Sequence, residues 1–272
     1  MPWCFGSYSL NKMTDRDLAA LRHAATLLES QSFAMTLAAK VGMPVEGLMR
    51  MLPANAQQGI GNAVNKALER SLHVALNFNT GAVSTPRTRS LHTWTTAATG
   101  ALGGFFGLPG LLVELPVTTT VMLHSIAEIA RSQGEDFSDP AAAFACLEVL
   151  ALGPDGVRGG NGALESAYYA TRAALAQVTR DAATYVAQKG LVKEGAPVLI
   201  SFLGKIAARF GIEVSEKAAA QLIPVAGAAG GLALNVLFTR HFQRLAEGHF
   251  IVRRLERTYG VEAVQAAYEA VR

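Results

Sequence analysis

Apolar positions along this chain recur at the spacing of helices. Leu21, Ala25 and Leu28 follow Leu18 at steps of three and four, one face of a 3.6-residue period. Thr14 and Asp17 stand just ahead of them as a capping box, in which a hydroxyl at the N-cap accepts from the third helical amide. The spacing therefore predicts a helix over residues 15–40, broken by VGMPVEG at 41–47. Ile60, Val64, Ala67, Ser71, Ala75 and Phe78 carry a second helix over 55–79. Residues 81–90, GAVSTPRTRS, read as a linker, because Gly, Pro and Ser cluster where the period stops. Asp139 and Pro140 are an N-cap and first-turn pair opening a short helix with Phe144, Leu147 and Leu150. After a loop at 153–162 an alanine-rich helix runs to Lys189, with Gly190 as its stop, and a short helix over 198–210 stops at Gly211.

Two stretches have no Asp, Glu, Lys or Arg, residues 90–113 and residues 218–239. As one helix the second would be about 33 Å long, enough for a hydrocarbon layer of about 30 Å. Pro109, Gly110 and Pro116 interrupt the first, and Pro224, Gly227, Gly230 and Gly231 dilute the second. The expectation is a break at residues 108–116, giving a broken helical hairpin within 100–134. Small residues permit close helix approach, so Gly107, Gly110, Gly227, Gly230 and Asn235 are the candidate packing positions between the two stretches. Burial in a soluble core and insertion in a membrane both remain open. Since no run alternates as a strand, the fold class is all-α, a multi-helix domain with glycine-rich broken helical hairpins. Its segments are an N-terminal helical part at 14–80, a core at 90–260 and a helical tail at 261–272.

Composition narrows the function more than it names it. Charged residues make up 17% of 272 and the net charge is +3 without a basic run, which excludes an electrostatic nucleic-acid footprint. Cys4 and Cys146 have no CxxC partner, and His241 and His249, eight residues apart, lack a third ligand, so no metal and no cofactor is expected. The glycine-rich runs match neither GxGxxG after a strand nor GK[ST]. Residues 1–17 lack the pattern of a signal peptide, and Met13 is an equally good start.

The most specific local pattern is ELPVTTTVMLHSIAEIARSQGEDFSDP, residues 114–140. His124, Glu128 and Arg131 recur at four and three, which permits a His124–Glu128 hydrogen bond and a Glu128–Arg131 ion pair on one helix side. With Glu114, Glu135 and Asp136 they form a candidate functional or structural network. There is no HExxH, no GxSxG elbow and no cysteine nucleophile with a matched base, so no catalytic residue can be nominated.

Residues 103–153, with E-x-P at 114–116, S-I-A-x-I-A at 125–130 and G-E-D at 134–136, together with residues 209–259, resemble the EcsC family. His124 stands where that family often carries Arg. The resemblance implies a bacterial origin and a gene neighbourhood beside an ABC transporter connected with secretion and competence, without a defined reaction. It singles out Glu114, Pro116, Gly134, Glu135, Asp136, Lys217, Pro224, Gly227 and Asn235. The function expected is a noncatalytic accessory protein associated with the cytoplasmic side of a membrane, with a lipid surface or a transport-system component as partner. The alternative is a cytoplasmic enzyme of unknown reaction with its site at residues 114–139.

Overall fold

The computed structural model describes residues 13–29, 33, 36, 45–50, 52–53, 56–78, 86–153, 166–190, 196–222 and 227–272, leaving aside the side chains of 45, 46, 48, 86–108 and 227–232. The described elements are α1 (Asp15–Leu28), α2 (Val45–Arg50), α3 (Ala56–Leu76), α4 (Pro86–Ser132), α5 (Pro140–Glu148) followed by a 3-10 turn (Val149–Ala151), α6 (Ala167–Lys189), α7 (Pro197–Gln221), α8 (Gly227–Tyr259) and α9 (Val261–Val271). Among the described residues there is no strand, so the chain is all-α. Buried side chains from Met13 to Tyr268 join in one continuous core.

Local chemistry sets several of these ends. Thr14 Oγ1 accepts from the Asp17 amide at 3.2 Å and opens α1. The Asp139 side chain accepts from the Ala141 amide at 2.8 Å, with Pro140 in the first turn of α5. Gly190 ends α6 at φ 73°, where a residue without a Cβ meets no steric cost. Gly211 does not end a helix. It lies inside α7, which continues ten residues beyond it to Gln221, because the burial of Val214, Ala218 and Ala219 outweighs the modest intrinsic cost of an interior glycine.

The most extensive helix contact is that of α4 with α8, and the two run parallel. Asn235 meets Glu114, Gln243 meets Ser125, and Arg253 meets Glu135, pairs separated by 121, 118 and 118 residues. Helix α3 also runs parallel to α4: a Cβ on Gly59 would lie 3.2 Å from Leu112, and Arg131 Nη2 donates to the Phe78 carbonyl at 2.6 Å, a separation of 53 residues. Helix α1 is antiparallel to α8, with Asp17 on Arg254 and His23 on Glu247.

The expected interruption at residues 108–116 is absent, since α4 is helical from Pro86 to Ser132 through Pro109 and Pro116. Its axis is nevertheless not straight. A straight run from Pro86 to Arg131 would be about 68 Å long, whereas Arg131 touches Phe78 and the eight residue steps from Phe78 to Pro86 cover at most about 29 Å. Residues 112–131 keep step with α3, so the bend lies before Leu112, where Pro109 removes a helical hydrogen bond. The change of direction is made by bending a helix and not by a loop.

Candidate functional site

Because α3, α4 and α8 are in step, the molecule has two distinct ends. At one, residues around Leu112 of α4 lie beside the starts of α3 and α8 and the end of α7. Glu114, 8% exposed, accepts from Thr118 Oγ1 at 2.9 Å and from the side-chain amide of Asn235, which is fully buried. Lys217 of α7 is also fully buried, and its Nζ stands 3.8 Å from Glu114 Oε1, beyond hydrogen-bond reach, and 4.9 Å from the centre of the Phe238 ring. Among the described residues neither Lys217 Nζ nor Glu114 Oε2 has a hydrogen-bond partner. Burial pushes the Lys217 amine down to about 8, with the Glu114 charge pulling the other way.

At the other end arginines engage the carboxylates through several bonds each. Helix α4 closes in a Schellman turn, with the Glu135 amide donating to Ala130 O at 3.1 Å, the Gly134 amide donating to Arg131 O at 3.0 Å, and Gly134 at φ 81°. The turn aims Glu135 at α8, where Arg253 grips it through two bonds of 2.9 and 3.0 Å and Arg257 adds a third. Burial raises the Glu135 carboxyl, but the bonds and charges of Arg253 and Arg257 outweigh it and hold the group below the usual carboxylate range. Arg254 binds Gln133 and Asp17, and Tyr259 donates to Asp17 at 2.7 Å. On the flank Arg172 holds Glu256 by two bonds of 2.5 and 2.9 Å and lies over the rings of Tyr168 and Tyr169. Tyr168 Oη is 3.0 Å from Nδ1 of the fully buried His249, and burial drives that imidazole well below its ordinary value.

The residues singled out from the sequence thus divide. Glu114 and Glu135 are about 31 Å apart along α4, so residues 114–139 do not converge on one place. Asp136 is exposed and caps the turn through the Ser138 amide, a bond that keeps its carboxyl low. In between, Arg131 lies over the Phe137 ring at 4.6 Å and donates to Phe78 O. His124 packs edge-on against Phe78 and holds Nδ1 2.9 Å from Thr120 O, while Glu128 is buried. Phe78 therefore links His124 and Arg131. The Asn235–Glu114 bond joins the second stretch to the residue that follows the first; the surroundings of Gly107, Gly227 and Gly230 fall outside the described residues, as does Pro224. Residues 218–239 are not one helix, because α7 ends at Gln221 and α8 begins at Gly227. Among the described residues one segment, the 24 residues Pro109–Ser132, is long and apolar enough to cross a membrane, and the chain itself buries 61% of its most apolar window.

Sequence reasoning passed over Arg172, Glu256 and the Tyr168–His249 pair. Their partners are more than 80 residues away, and only the paired tyrosines marked the place. His241, one of the two histidines noted, faces Glu213 at 3.7 Å and the rings of Phe33 and Phe242, whereas His249 faces Tyr168. Cys146 is a buried free thiol that burial raises far above its ordinary range. Among the described residues no three His, Cys, Asp or Glu side chains gather as metal ligands. A cleft lined by Leu150, Gly153, Arg209, Ile212 and Glu213 has a volume of about 30 Å³, room for a water and far below the roughly 300 Å³ of a substrate pocket.

No curated protein and no solved structure matches the chain. The EcsC protein family model matches residues 17–255, from the acidic residue that ties α1 to α8 through to Leu255 near the end of α8. With most of its length inside that match, the chain belongs to the EcsC family.

Proposed function

We propose that this is a noncatalytic accessory protein that associates with the cytoplasmic face of a bacterial membrane, where it engages lipid or a component of a transport system. One observation carries the reading: the contacts of Glu114 with Asn235 and Lys217 bring the described edges of the uncharged stretches, residues 109–113, 218–222 and 233–239, to the same end of the bundle. The exposed apolar side chains Val113, 80% exposed, and Val117, one turn apart on α4, lie at that end. The uncharged part of α8, residues 227–239, is far short of the roughly 20 residues of a crossing helix, and the chain itself buries most of the apolar window of Pro109–Ser132, so the reading is attachment by an end and not a span. A buried Glu–Lys pair is a natural companion of such an end, because charges held near lipid are tolerated only when paired.

Fractionation of bacterial cells expressing the full chain tests this. Recovery with membranes and release by alkaline carbonate is the expected result. Recovery in the soluble fraction without detergent, with no flotation on vesicles of any composition, overturns it.

A further inference from the structure

The parallel helices make α4 a ruler for its neighbours. Helix α3 is offset from it by 53 residues, which sets Lys66 and Arg70 level with Thr119 and Leu123. Helix α8 is offset by 118 to 121 residues, which sets Arg240 and Arg244 on the same two turns. All four are exposed. Beyond that level, toward Leu112, the described parts of these three helices present no exposed charge: α3 shows Gln57, Gln58, Asn62 and Asn65, α4 shows Val113 and Val117, and Glu114 is covered. The uncharged rim is about 10 Å deep, from Leu112 to Thr119. At the level of the four cations Glu69 is an exposed acid, and the buried Glu213 of α7 faces His241 there.

We propose that Lys66, Arg70, Arg240 and Arg244 form a basic collar that binds the phosphates of anionic lipid headgroups, with the uncharged rim seated in the interface beyond it. The inference rests on the membrane reading and adds to it the lipid class, the residues and the depth. The chemistry fits that occupant. The rim offers amides and two valines, suited to the headgroup and glycerol layer and too polar for the hydrocarbon centre. The collar offers cations on long stems that can reach back along the helices to a phosphate plane.

Flotation of the purified full chain on vesicles of phosphatidylcholine alone, and of phosphatidylcholine mixed with phosphatidylglycerol, tests the collar. The expected result is tighter binding to the mixed vesicles that weakens with added salt. Both Lys66→Gln/Arg70→Gln and Arg240→Gln/Arg244→Gln should lose that preference, by about fivefold per charge removed, with an unchanged melting transition. Arg16→Gln, which removes one exposed charge at the opposite end, should stay within about twofold of the parent. Mixed-vesicle binding by both double variants equal to the parent's overturns the collar. So does a parent that binds both vesicles equally, in which case the membrane reading survives alone. A parent recovered with cell membranes but binding neither vesicle points to a protein partner and also overturns it.

Discussion

The two ends of this bundle use charge in opposite ways. At the Glu135 end two carboxylates meet planar, multidentate partners: Arg253 and Arg257 on Glu135, Arg172 on Glu256. At the Glu114 end one carboxylate faces one ammonium at 3.8 Å, with bonds from Thr118 and Asn235 and none from the lysine. Bidentate arginine contacts offset much of the cost of desolvation, whereas a lysine held away from its acid does not. The first end is built to lock helices together, and the second keeps two charges out of water with little direct return.

The largest effect should come from breaking the locked end. Glu135→Ala leaves Arg253 partly buried without its acid and should cost about 3–5 kcal/mol of folding stability, read as a lowered midpoint in denaturant with an unchanged slope. A loss below about 1 kcal/mol would mean that the Glu135 end is no firmer than an ordinary exposed pair.

At the other end the comparison sharpens with a double variant. Glu114→Gln alone strands Lys217 and should cost about 3 kcal/mol, while Glu114→Gln/Lys217→Met should return to within about 1 kcal/mol of the parent. At the locked end the analogous Glu135→Gln/Arg253→Met should not recover, because Arg257 still bonds the residue-135 position and Gln133 O. There is also a pH signature. With the folded amine of Lys217 at about 8 and a model-peptide value of 10.5, the unfolded chain holds more protons between those limits, so this group makes stability rise with pH across pH 8 to 10.5. The double variant should lack that rise.

What the sequence shows of these ends is uneven, for a physical reason. Caps are local, so Thr14, Asp139 and Gly190 could be read from neighbours within four residues. The pairs that define each end are 84 to 122 residues apart, and residue type alone does not say which arginine finds which carboxylate. Lys217 was singled out by family resemblance and not by its spacing. Gly211 and Pro109 misled for a shared reason: local propensity marks both as stops, but tertiary packing keeps α7 helical and turns the proline into a bend in α4.

Between the two ends, His241 provides an acid-side test. Burial, followed by the charge of Arg244, pushes it down to about 4, and Glu213 is the acid facing it. The unfolded chain therefore binds the extra proton between about pH 6.5 and 4, and stability falls as pH drops through that window. The contribution between pH 6.5 and 4.5 is about 2 kcal/mol. His241→Phe, which keeps a ring against Phe33 and Phe242, should flatten the fall by that amount. An unchanged acid slope would place the sensitivity elsewhere, with His249 at the locked end the next group to substitute.

The smallest expected effects differ in sign between two glycines. Gly134 sits at φ 81° in the turn that delivers Glu135 to its arginines. An alanine there must adopt a left-handed conformation that costs about 1–2 kcal/mol, and any relaxation moves Glu135 away from Arg253. Gly211 lies in the interior of α7, and an added Cβ would meet nothing within 4 Å. Alanine there removes backbone freedom from the unfolded chain without a clash, so Gly211→Ala should stabilise by about 0.5–1 kcal/mol. Thermal melts of the two variants should therefore move in opposite directions from the parent. If both fall, α7 needs flexibility or space at residue 211 that its uncrowded surroundings do not reveal; if both rise, the turn at Gly134 is not what holds Glu135 in place, and the contrast between a locked and a loosely paired end loses its local cause.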